Sequence, residues 1–149
     1  MKIYRFPLVR LSRLCGLSLG VIMVTEEQEK IAKKVLDCAF EVHTQLGPGL
    51  LESAYQTCLV YELKSNGLYV EEEKILPVNY KGVTIDCGYR IDIVVEHDKL
   101  IIENKAVKGF SDVHLSQILT YMKLSNISLG FLLNFNERHL KNGIKRVVL

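Results

Sequence analysis

At 149 residues the chain is long enough to bury a real core and has the size of one ordinary domain. A hydrophobic content of 48% with 24% charged residues is that of a soluble globular fold, and neither a repeat nor a low-complexity tract is present. The net charge of +2 is unevenly spread: Lys2, Arg5, Arg10 and Arg13 precede residue 25 without any acid, so acids outnumber bases in the remainder. That excludes a generally basic nucleic-acid binder and leaves room only for a local basic patch.

Residues 1–22 are expected to form a loosely ordered extension in front of a single domain spanning 23–149. An upstream start codon accounts for such a segment, and a targeting sequence is the alternative. The apolar run Leu14–Val24 is too short to span a bilayer, which needs about 20 apolar residues, and no small-residue cleavage site follows it. Cys15, Cys38, Cys58 and Cys87 show no CxxC or Cys/His spacing. They read as reduced, mostly buried thiols in a cytoplasmic protein, which argues against zinc.

The first helix is expected over Thr25–Leu46. Thr25 can cap, Gln28 occupies the capping-box position, and Ile31, Val35, Cys38, Ala39, Val42 and Leu46 recur at helical spacing. Gly47-Pro48-Gly49 stops it, and a second helix runs from about Leu50 to Asn66 before Gly67. Strands follow at Tyr69–Tyr80 (split by Pro77), Val83–Cys87, Tyr89–Glu96 and Lys99–Ala106, with "YKGV" as a hairpin turn. Ser111 or Asp112 caps a third helix reaching about Ser125. "SLGFLLNF" (128–135) reads as a buried strand and "IKRVVL" (144–149) as a final edge strand. Helices flanking a mixed α+β sheet are the expected layers.

The stretch "YRIDIVVEHDKLIIENKAV" places Asp92, Glu103 and Lys105 inside runs that should be buried. A turn centred between His97 and Asp98 pairs residues whose numbers sum to 195, which sets Asp92 opposite Glu103 and Arg90 opposite Lys105. Opposed side chains have Cβ atoms about 4.5–5.5 Å apart, so two carboxylates there repel. Two resolutions are open. The acids pair with Arg90 and Lys105 in a wet charge lattice, or a divalent cation sits between them, Mg²⁺ being typically held by one or two carboxylates plus water and phosphate. On the second helix, Glu52 lies beside the apolar stripe and shares a side with Tyr55, Gln56 and Leu59. On the third, Gln117 and Tyr121 share a side with His114.

Taken together, "GPGLLESAY", "GYRIDIVVE", "LIIENKAV", "HLSQILTYMKL", "GFLLNF" and "LKNGIKRVV" resemble the GxxExxY family of the PD-(D/E)xK nuclease-like superfamily. The resemblance runs from about residue 27 to 148, with Gly49, Glu52 and Tyr55 as the naming motif. It implies a restriction-endonuclease-like αβββαβ core with flanking helices. It also implies Glu52, Asp92 and Glu103 as ligands of Mg²⁺ or Mn²⁺, joined by the Glu103–Asn104 peptide carbonyl, with Lys105 and Gln117 completing the catalytic set. The expected activity is metal-dependent hydrolysis of phosphodiester bonds in nucleic acid, DNA being the favoured polymer. Tyr121 and the basic group Lys141, Lys145 and Arg146, with Arg138 and His139 beside it, are the expected substrate contacts.

Asn104 departs from the pattern, since an apolar residue usually stands between acid and lysine. It points to the opposite face and must find hydrogen-bond partners if buried. His43 is expected to cap carbonyls at the end of the first helix, and His97 to lie on a turn. Phosphate-cradling, dinucleotide and nucleophile-elbow motifs do not occur in the sequence. Two rival readings stay open: a non-catalytic nucleic-acid-binding module and a protein-interaction subunit, as a partner chain or a second copy. A fold does not guarantee an activity.

Overall fold

The computed structural model describes residues 8–10 and 23–149, and β1 (Leu8–Arg10) is described by its backbone pairing alone. Helix α1 (Glu26–Leu46) starts as its sequence dictates. The Gln28 N–H donates to Thr25 Oγ1 at 3.1 Å, and the Thr25 N–H donates to Gln28 Oε1 at 3.0 Å. The Gln28 amide then reaches the sheet, donating to the Lys99 carbonyl and to Ser128 Oγ. One residue thus caps the helix and anchors it. Gly47, at φ +65°, and Gly49, at φ +103°, carry the chain through a turn that side-chain-bearing residues adopt only with strain. Helix α2 (Glu52–Ser65) follows.

The strands are β2 (Val70–Ile75), β3 (Val78–Tyr80), β4 (Val83–Ile85), β5 (Arg90–Val95), β6 (Leu100–Lys105), β7 (Leu129–Asn134) and β8 (Ile144–Val148). Helix α3 (Asp112–Ser125) joins β6 to β7, and a 3₁₀ turn, Leu140–Gly143, precedes β8. The main sheet runs β1-β8-β7-β6-β5-β2. Within it β6 and β7 are parallel, as are β1 and β8, and the other pairings are antiparallel. The order α2-β2-β5-β6-α3-β7 is the αβββαβ core of a restriction-endonuclease-like fold, so the expected class holds.

One strand expectation holds and one needs correction. The hairpin expected at "YKGV" forms, Tyr80 pairing with Val83 as β3 and β4 make a separate two-stranded ribbon turned by Lys81 and Gly82, both at positive φ. All three β4 residues are exposed, so nothing covers the ribbon to make it a core layer. Strand β8 is not an edge, because β1 pairs along it through Leu8↔Arg146 to Arg10↔Val148.

Apolar residues divide between the two faces of the sheet. On one, Ile93, Val95, Leu100, Ile102, Phe131 and Leu133 pack with α1 and α2; on the other, Val94, Ile101 and Leu132 pack with Ile118 and Met122 of α3. Gly130 permits the second contact, since a Cβ there would sit 3.0 Å from Met122 Sδ and 3.1 Å from Ile118 Cδ1. Among the described residues no helix is long and apolar enough to cross a membrane.

Candidate active site

The β5–β6 hairpin has the register its turn predicts, pairing Val95↔Leu100, Val94↔Ile101 and Ile93↔Ile102. The ladder stops there. Instead of a backbone bond, the Asn104 N–H donates to Asp92 Oδ2 at 2.9 Å, so a carboxylate takes the place of the strand partner. On the other side of β5, the ladder to β2 skips the Glu73–Asp92 position, where Glu73 sits at φ +49°. The β2 ladder resumes at Lys74↔Ile91, so the interruption on that side is confined to the Glu73–Asp92 position.

Glu103 and Lys105 project from the last turn of the β6 pleat, on the α3 side. Glu103 is only 1% exposed and Lys105 9%. Lys105 Nζ donates to Glu103 Oε1 at 2.7 Å, whereas Glu103 Oε2 is buried with no hydrogen-bond partner among the described residues. Burial, then the neighbouring Asp92 charge, raises the Glu103 carboxyl to about 7 against the pull of Lys105. Asp92 is raised to about 6, chiefly by burial; the Asn104 N–H and Lys105 oppose that, and Glu52 and Glu73 add to it. Burial by itself would lower Lys105, but its hydrogen bond to Glu103 and the charges of Glu103, Asp92 and Glu52 outweigh that and raise it. Lys105 is therefore an ammonium, and the cluster around it holds more negative than positive charge.

Glu52 opens α2 at this same end of the sheet, where Gln56 donates to Glu73 at 2.8 Å. Its charge acts on Asp92, Glu103 and Lys105, but its side chain is exposed. Among the described residues no group of three or more His, Cys, Asp or Glu side chains is close enough to hold a metal ion. Of the expected Glu52, Asp92 and Glu103 set, the structure buries Glu103, half-buries Asp92 and leaves Glu52 exposed at the start of α2. From the opposite side, Gln117 Nε2 donates to the Tyr121 hydroxyl at 2.9 Å, and the Tyr89 ring meets Tyr121 edge-on at 6.1 Å. The Tyr121 phenol is raised by burial first and also by Glu103 and Asp92, which places it within their field.

The expected basic group is dispersed. Arg146 faces α1 and pairs with the Glu29 carboxylate through both terminal nitrogens, one at 2.9 Å, which lowers the Glu29 carboxyl. Lys145 points to the opposite face, its ammonium 5.3 Å from the centre of the Phe110 ring. It shares a row with Leu132 and Glu103, so it lies on the α3 face of the sheet two strands from the acid. Lys141, with Arg138 and His139, lines a pocket beside the end of α1. Alternation along β8 is the reason: consecutive residues cannot form one patch on a strand. His43 also departs from expectation, since its Nε2 meets the Glu137 carbonyl at 2.7 Å rather than capping its own helix.

Tyr55 has a structural role that its motif position does not reveal. Fully buried, its hydroxyl donates to the Gly47 carbonyl at 2.6 Å and accepts from the Leu50 N–H at 3.1 Å, and its ring stacks on Phe135 at 4.8 Å. It thereby clamps the turn that delivers Glu52. Asn134 was not legible as a site residue. Its side chain bonds both the N–H and the carbonyl of Val107, tying the exits of β6 and β7 together.

A protein-family model described as the PD-(D/E)XK nuclease superfamily matches residues 29–147. No curated protein and no solved structure matched the chain.

Proposed function

The chain belongs to the PD-(D/E)XK nuclease superfamily, and from that premise we propose that it is a divalent-metal-dependent nuclease of the GxxExxY group, cutting phosphodiester bonds in DNA. The observation that carries this reading is the half-buried Asp92 beside the buried Glu103, with Lys105 attached and Glu103 Oε2 left without a partner among the described residues. Two oxygen donors whose burial and mutual repulsion call for positive charge fit Mg²⁺ or Mn²⁺. Asp92 and Glu103 would hold the ion, and Glu52 would reach it through water. When bound, such an ion lowers the pKa of water and stabilises charge developing on phosphoryl oxygens.

The remaining roles belong to the protein. Lys105, held as an ammonium by its acidic neighbours, orients the attacking water and offsets negative charge on the phosphate; its raised pKa makes it a poor proton acceptor. Gln117 fixes the direction of the Tyr121 hydroxyl, which then donates to a backbone phosphate. Lys145, steadied by Phe110, supplies a cation on the same face. Free thiols at Cys38, Cys58 and Cys87 support work in the reducing cytoplasm.

The test is a Mg²⁺ and Mn²⁺ titration of the purified chain against single- and double-stranded DNA, beside Asp92→Ala, Glu103→Ala and Lys105→Ala. Cleavage by the parent and its loss in all three variants is the expected outcome; equal activity in parent and variants would eliminate the mechanism. The Lys105–Glu103 ion pair, which partly satisfies both groups without a ligand, favours one second reading, a non-catalytic DNA-binding module. Salt-dependent binding without metal-dependent cleavage would select it.

A further inference from the structure

The sheet end that carries Glu103 and Lys105 also carries a second cluster, on the α1 side. A pocket of about 380 Å³ is lined by Phe40, His43, Arg138, His139, Leu140 and Lys141. That volume lies in the range that encloses a small ligand group, roughly 300–1,000 Å³. Arg138, His139 and Lys141 are exposed, and none has a side-chain hydrogen-bond or ion-pair partner among the described residues. Other basic side chains divide: Arg146 pairs with Glu29, Lys105 with Glu103 and Lys99 with Glu27, while Lys30 and Lys34 stand on the open surface of α1. Among the described residues no acidic side chain lines the pocket. Unopposed cations around a concave site are the recognition chemistry of a phosphate, and Arg supplies its planar fork of donors.

The pocket is also built into the catalytic edge. The Phe135 N–H donates to the Lys105 carbonyl at 2.9 Å, so the chain that leaves β7 is bonded to the proposed catalytic lysine. Arg138 is three residues further on, at most roughly 11 Å of extended chain. Asn134 locks this exit to Val107, and His43 holds it to α1 through the Glu137 carbonyl. Gly143 closes the same loop from beneath: a Cβ there would lie 2.3 Å from the Asn134 carbonyl oxygen. The loop bearing the cations is thus pinned at both ends.

We propose that this pocket binds the terminal phosphate of a nucleic-acid strand and sets the distance from that end at which the bond is cut. This rests on the nucleic-acid reading above. Phe40 and Leu140 back the pocket, which opens to solvent and so admits a terminal group. Charge agrees, since a phosphomonoester carries up to two negative charges and meets two permanent cations, Arg138 and Lys141.

The test measures binding of the full chain in EDTA to single strands bearing a 5′-phosphate, a 3′-phosphate or hydroxyls at both ends. One phosphorylated end should bind at least ~10-fold tighter than the hydroxyl strand. The Arg138→Ala/Lys141→Ala double variant, altered only at exposed positions, should bind all three at the hydroxyl level. Lys34→Ala, which removes a charge from α1 outside the pocket, should keep the discrimination. Equal affinity of the parent for all strands, or discrimination surviving in the double variant, would overturn the proposal. So would displacement by a free nucleoside monophosphate at the same concentration, which would assign the pocket to a nucleotide instead. Because no cleavage is measured, failure of the hydrolytic reading is seen separately: phosphate-dependent binding in a chain that never cuts DNA leaves the pocket standing.

Discussion

Acidifying the metal-free protein should stabilise it, against the usual behaviour of carboxylates. Glu103, at 1% exposure, is raised from 4.5 to about 7, and Asp92 from 3.8 to about 6. Both folded values lie above the unfolded ones. Between them the native state binds more protons than the unfolded chain, so stability falls as pH rises through roughly 4 to 7. A shift of that size at Glu103 corresponds to about 3 kcal/mol, the energy by which the ionised acid weakens the fold at neutral pH. Glu103→Gln keeps the shape and removes the charge, so its difference from the parent isolates this contribution from other acids such as Glu29, whose lowered pKa acts in the opposite sense. Urea unfolding from pH 5 to pH 8 in EDTA should show the parent losing about 3 kcal/mol relative to Glu103→Gln, or roughly 10 °C in Tm. Millimolar Mg²⁺ at pH 8 should recover part of that loss in the parent and not in the variant, since a ligand of the native state alone stabilises by mass action. Parallel pH profiles for the two proteins would refute the reasoning: the Glu103 charge would then be offset more fully than its single bond to Lys105 allows.

Three further outcomes are expected. Asn104 is 0% exposed and neither side-chain polar atom has a partner, so Asn104→Val should raise stability by about 1–3 kcal/mol in chemical denaturation while leaving the Asn104 N–H on Asp92; a loss would mean the amide is satisfied. Gly143→Ala should cost more than ~2 kcal/mol, because the new methyl meets the Asn134 carbonyl; Gly109→Ala, with open space around it, serves as the control measured alongside. Alkylation with iodoacetamide at pH 8 should label exposed Cys87 quickly and Cys38 only on unfolding. Burial raises the Cys38 thiol to about 11, and peptide mapping by mass spectrometry reads the order directly.

Local rules carried the sequence reading a long way. Thr25 and Gln28 announce the start of α1, Gly47-Pro48-Gly49 its end, and the Glu96–Lys99 turn sets a hairpin register that the structure keeps for three pairs. The spacing of Glu103 and Lys105 on one side of β6 follows from strand alternation. Each of these depends on residues a few positions apart, where backbone sterics and hydrogen-bond geometry leave few choices. Asn104 is a partial case: its sequence position flags it as anomalous, and only packing shows that its amide goes unpaired.

What the sequence by itself determined, then, is the order of elements from α1 to β8, the hairpin register and the acid–lysine pair. The tertiary structure decided the rest. It set β1 beside β8, sent Arg146 to Glu29 and Lys145 to Phe110, and left Glu52 exposed while burying Glu103. It alone brought His43 to the loop after β7 and made Gly143 indispensable to that loop. Those outcomes join residues up to a hundred or more positions apart, and the free energy that selects them comes from close packing and burial of charge, which no short window of sequence contains.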